Sequence, residues 1–87
     1  MDLNDLRKMQ RGALELRREI ARVLMLDNEH FARSASEWAA DERLAKHLRV
    51  YWNERATASA QKAQVHRTDL ASIDAEIADL DAQEVQP

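Results

Sequence analysis

The sequence predicts an all-α fold, an antiparallel helical hairpin with a long second helix. Three observations carry that expectation. The 87 residues hold one Gly and one Pro, the latter at the last position, so almost nothing breaks a helix. Charged residues make up 33% and are mixed with Ala and Leu, a long-helix or coiled-coil composition. Apolar residues also recur in steps of three and four over most of the chain.

The first helix is read over about residues 3–26. Leu6, Met9, Ala13, Leu16, Ile20 and Val23 form one continuous stripe, which marks the face toward a core. Asp2 or Asn4 serves as the cap, and Asp5 suits the positive end of the helix dipole. Gly12 costs about 1 kcal/mol against Ala inside a helix, yet the stripe passes through it.

The turn is expected at about 27–34, in "LDNEHFARSAS". Asp27 and Asn28 tolerate turn conformations, and Ser34 with Glu37 makes a capping box. The long helix then runs over about 34–83, with a short disordered C-terminus behind it. Heptad steps from Phe31 reach Trp38, Ala45, Trp52, Ser59, His66, Ile73 and Leu80, with Ala56, Ala63, Leu70 and Ile77 between them. From Trp52 to Leu80 this is a coiled-coil seam. Upstream it falters, because Glu42 and Arg49 occupy the companion positions. A bend near 56–60 would give the alternative, a three-helix bundle. Either way the chain is a single domain spanning 1–87.

Two groups of residues are candidates for protein contact. Trp38, Leu48, Tyr51 and Trp52 gather on one face of the expected long helix, as a core against the first helix or a hot spot for a partner. Trp52 is expected opposite Met9 to Leu16, and Trp38 near Val23 and Leu24. Leu70, Ile73, Ile77 and Leu80 lie where the long helix would outrun the first by about 35 Å. Left wet, each costs about 1.5–3 kcal/mol, so a second copy or a partner is expected to cover them.

Charge is graded along the chain. Residues 1–26 carry a net of +2, residues 27–55 a net of −1, and residues 56–87 a net of −4. Arg7, Arg11, Arg18 and Arg22 form a row opposite the first apolar stripe, and Asp69, Asp74, Asp79 and Asp81 flank the last one. The two rows suit each other, within one chain or between copies.

The function expected from this pattern is a non-enzymatic assembly or adaptor subunit acting through self-association, as a dimer or higher oligomer, or with another protein. The alternative is a small acidic inhibitor that occludes a nucleic-acid-handling protein. Direct nucleic-acid binding is disfavoured, because Glu15 and Glu19 sit beside the arginine row. No nucleophile–base set, phosphate loop or paired-His motif is present, so no catalysis, metal, cofactor or small-molecule ligand is expected. The absence of Cys and of any long apolar run points to the cytoplasm and away from a membrane.

Overall fold

The computed structural model describes residues 2–85. They form two helices, α1 (Leu3–Ala39) and α2 (Lys46–Val85), packed antiparallel as one extended hairpin. The molecule measures 65 × 19 × 12 Å, with a radius of gyration of 19.4 Å. A compact chain of this length would have a radius near 12 Å, so the hairpin is a rod with no enclosed centre.

Asp2 caps α1: its carboxylate accepts the backbone N–H of Asp5 at 2.9 Å, and Asp5 follows in the first turn. The helix does not stop at 27–34, which corrects the expected turn. Asn28 donates its side-chain amide to the carbonyl of Leu24 at 2.8 Å, so it bonds back into the helix instead of leaving it. Ser34 lies inside α1, and the Ser34–Glu37 pair therefore caps nothing.

The turn occupies 40–45, "ADERLA", within the stretch read from sequence as helix. Asp41 organises it. Its carboxylate accepts the backbone N–H of Arg43 at 3.0 Å and the Arg43 guanidinium at 2.9 and 2.8 Å. The Arg43 side chain, then the Arg43 backbone N–H, hold the Asp41 carboxyl below its ordinary value. Arg49 crosses the turn and donates to the carbonyl of Ala39 at 3.1 Å, satisfying an orphan group at the end of α1.

α2 runs without interruption to Val85 and does not bend near 56–60, which excludes the three-helix bundle. Thr57 and Thr68 direct their hydroxyls to the carbonyls of Asn53 and Gln64, both at 3.1 Å, and remain within the helix. The expected disordered tail after 83 is helical as far as Val85, and residues 86–87 lie outside the described residues.

The inner face of α2 is the heptad seam read from sequence. Ala56, Ser59, Ala63, Ile73 and Ile77 are buried, and Trp52, His66, Leu70 and Leu80 are half-buried. Near the turn the seam is narrow, with Ala35 buried on α1 and Ala56, Ser59 and Ala63 on α2. Small side chains let the two backbones approach closely there. Toward the free end it widens into a core of Leu14, Ala21, Ile73 and Ile77, with Leu70 and Leu80 packed against it.

Candidate protein-interaction surface

The six-residue turn leaves α1 with Ala35 and Ala39 on its inner side. Stepping back from Ala35 by sevens gives Asn28, Ala21, Leu14 and Arg7. From Ala39 the same step gives Ala32, Met25, Arg18 and Arg11. Nine of these ten positions are buried or half-buried, and Arg18 is exposed. The inner face of α1 is thus alanine-rich near the turn, where α2 offers Ala56, Ser59 and Ala63, and arginine-edged at the free end.

The stripe expected to be the core of α1 consequently points outward. Leu16 is 63% exposed, Met9 60% and Ile20 51%, while Leu6 and Val23 are exposed by slightly less and Ala13 is exposed too. The opposite assignment, with the large side chains turned inward, would strip Arg11 and Arg18 of their acidic partners. From Leu6 to Val23 the exposed stripe runs for about 26 Å. Leu3, Leu24 and Leu26, also exposed, border it.

A second apolar region lies at the turn end. Trp38 from α1 stacks on Trp52 from α2, with ring centroids 6.4 Å apart and planes at 29°. Phe31 lies 6.5 Å from Trp52, and Tyr51 meets it edge-on at 5.2 Å. Arg55 sits 5.2 Å over the Tyr51 ring and donates to its hydroxyl at 3.2 Å. Trp52 is half-buried, whereas Phe31, Trp38, Leu48 and Tyr51 remain exposed. The tryptophans therefore do not share one helix, and Trp52 does not meet Met9 to Leu16. The displaced turn accounts for both corrections, since it separates residues 38 and 52 and folds them onto each other.

Leu70, Ile73, Ile77 and Leu80 are not left uncovered. Ile73 is 1% exposed and packs with Leu14 and Ala21 of the same chain. The reason is length: α1 spans 37 residues and α2 spans 40, so no overhang exists for a second copy to cover.

The two charged rows do meet, and within one chain. Arg11 pairs with Asp81, and Arg18 with Asp74 at 3.3 Å. Arg22 turns instead to Glu19 on its own helix; its hydrogen bond is the main cause that lowers the Glu19 carboxyl. Arg7 is half-buried at the seam edge, and Asp69 and Asp79 are exposed. A pair the sequence reading lacked, Arg67 with Glu29, bridges the helices midway. These pairs face solvent and contribute little to stability, so they orient the helices while apolar contacts hold them.

No family model, curated protein or solved structure gives a significant match to this chain. Neither described helix is long and apolar enough to cross a membrane. The extended hairpin and its exposed hydrophobic side chains are consistent with a binding or self-association surface.

Proposed function

We propose that this chain is a non-enzymatic assembly or adaptor module that binds protein through the outer face of α1. The observation that carries the reading is the Leu6–Val23 stripe, a regular apolar heptad on the side of α1 that faces away from α2. Contiguous apolar surface of this kind marks interaction sites in soluble proteins. Fully burying a Leu, Ile, Met or Val contributes about 1.5–3 kcal/mol, and roughly half of that remains available at each stripe position. Several such side chains in register amount to a specific helix-binding face. In this reading the aromatic turn end is a second contact, where an adaptor would engage a further protein. The cysteine-free composition suits a cytoplasmic setting.

The acidic end supports the alternative, an inhibitor of a nucleic-acid-handling protein, less well. Two of the carboxylates it would present, Asp74 and Asp81, already face Arg18 and Arg11.

The test is the double substitution Leu16→Glu with Ile20→Glu. Self-association in sedimentation, or capture of a partner from the native host, should be lost while helix content and melting of the hairpin persist. A variant that keeps every association of the wild type would overturn the reading.

A further inference from the structure

The outer stripe of α1 is complementary to itself, and we infer that its occupant is a second copy of this chain, with the two α1 helices antiparallel. The inference rests on the outer face being the binding surface; it adds which partner fills it and in what register.

Leu6, Ala13 and Ile20 repeat at one core position of the heptad, and Met9, Leu16 and Val23 at the other. An antiparallel pair sets one series against the other. With Leu6 opposite Val23 of the second copy, Met9 meets Ile20 and Ala13 meets Leu16. Six layers close in this way by two-fold symmetry, and the one small residue of the stripe lies opposite a large one. The flanks follow from the same register. Leu24 lies beside Leu3 of the second copy, and Leu26 beside Asp5. Every exposed aliphatic side chain larger than Ala on α1 thereby gains a neighbour.

Charge agrees with this register. The flanking positions set Gln10 beside Arg17 of the second copy and Gly12 beside Glu19, so no like charges oppose each other along the six layers. The next pair outward is Asp27 with Asp2, and two carboxylates there end the seam. Sliding the pair by one heptad in one direction sets Ile20 against Asp2, and in the other sets Asp27 against Met9. A parallel pair sets each core residue against itself, which leaves a gap at Ala13 and places the two copies of Asp27 together. Gly12 is a separate observation that fits. A Cβ added there would meet nothing within 4 Å in the hairpin, so nothing in one chain requires a glycine at that position. Across the proposed interface it leaves room for the Glu19 side chain of the second copy.

The assembly is a row of four helices, with each α2 outermost and the aromatic ends pointing in opposite directions. Because the chain has no Cys, introduced thiols report the register directly. Leu6→Cys and Val23→Cys are made as separate full-length variants, each at an exposed position, and far-UV circular dichroism confirms their helix. Mild oxidation of the mixture should yield a disulfide-linked heterodimer, while neither variant alone should cross-link, since a disulfide requires close Cβ atoms. Sedimentation of the wild type at micromolar concentration should give twice the 10.0 kDa of one chain. Cross-linking of Leu6→Cys with itself would overturn the antiparallel register in favour of a parallel one. A wild-type dimer whose mixed variants do not cross-link would overturn the register as well. A wild type that stays at the mass of one chain would overturn the second copy as occupant. In that last case the Leu16→Glu, Ile20→Glu variant still decides whether the face binds anything, so the two failures are separable.

Discussion

The two helices of the hairpin are of nearly equal length, yet they use their apolar residues in opposite ways. α2 turns its seam from Trp52 to Leu80 wholly inward. α1 turns its best apolar stripe outward and meets α2 with alanines, Leu14, Met25 and the aliphatic stems of arginines. Periodicity reports that a helix has a face fit for burial; it does not report which molecule does the burying. On α2 the face belongs to the fold. On α1 it is left exposed.

Matched substitutions on the two faces break the comparison most strongly. Ile73→Ala removes a side chain that is 1% exposed, and the hairpin should lose about 2–5 kcal/mol, read from denaturant melts. Leu16→Ala takes a comparable volume from α1 and should shift the same melt by less than about 0.5 kcal/mol at concentrations where the chain is monomeric. Equal losses at the two sites would mean that the outer stripe is packed within one chain.

The tryptophans sharpen the comparison at the turn end. Trp52 is half-buried among Phe31, Trp38 and Tyr51, so Trp52→Ala should cost about 2–3 kcal/mol, below the range of a fully enclosed aromatic. Trp38 is 49% exposed and should cost clearly less. If the order were reversed, Trp38 would be the structural ring and Trp52 the one free to meet a partner.

What was legible in the sequence follows the same division. The α2 seam from Trp52 onward could be read because it depends only on spacing along one helix. The turn could not be placed, because "ADERLA" holds neither Gly nor Pro and is organised by the Asp41 side chain. A signal was nevertheless present: Glu42 and Arg49 broke the heptad just upstream of Trp52, where α2 begins. Misplacing the turn by about a dozen residues put the tryptophans on one helix and created an overhang at Leu70–Leu80, while α1 was read inside out because its large apolar side chains were assigned to the core. The charged rows were legible as complementary, but whether they meet within or between chains depended on the length of α1. The Leu6–Val23 stripe was legible as an apolar face but was read as core, whereas Leu70, Ile73, Ile77 and Leu80, read as a contact for a second copy or a partner, belong to the core of the hairpin.

Gly12 offers a smaller effect with a distinctive dependence. Gly12→Ala should stabilise the monomeric hairpin by about 1 kcal/mol, since it improves helix propensity and meets open space. In the assembled form the gain should shrink, because the added methyl would project where the second α1 lies. Melts of the Ala variant in the wild-type and the Leu16→Glu, Ile20→Glu backgrounds give the comparison. A gain that is identical in both would remove Gly12 from the interface.

The smallest expected effect separates the turn from the helix faces by pH. The Asp41 carboxyl is held below its ordinary value of 3.8, first by the side-chain bond from Arg43 and then by the Arg43 backbone N–H. A carboxyl whose folded pKa is depressed contributes stability above its unfolded pKa and loses it as pH falls through the folded one. The hairpin should therefore weaken below about pH 3.8, and part of that loss belongs to the turn. Asp41→Asn keeps an oxygen that can accept the Arg43 N–H but removes the charge, so it should lower stability at neutral pH and flatten the acid limb. Asp41→Ala removes all three bonds from Arg43 and should be the less stable variant at every pH. Glu19, also held below its ordinary value by Arg22, lies on α1 away from the turn. Glu19→Gln should flatten the acid limb while leaving hydrogen exchange at residues 43–49 unchanged, whereas Asp41→Asn should speed exchange there. If both substitutions sped exchange at the turn equally, the turn would not be the local structure that Asp41 holds, and the inward direction of Ala35 and Ala39 would need another cause.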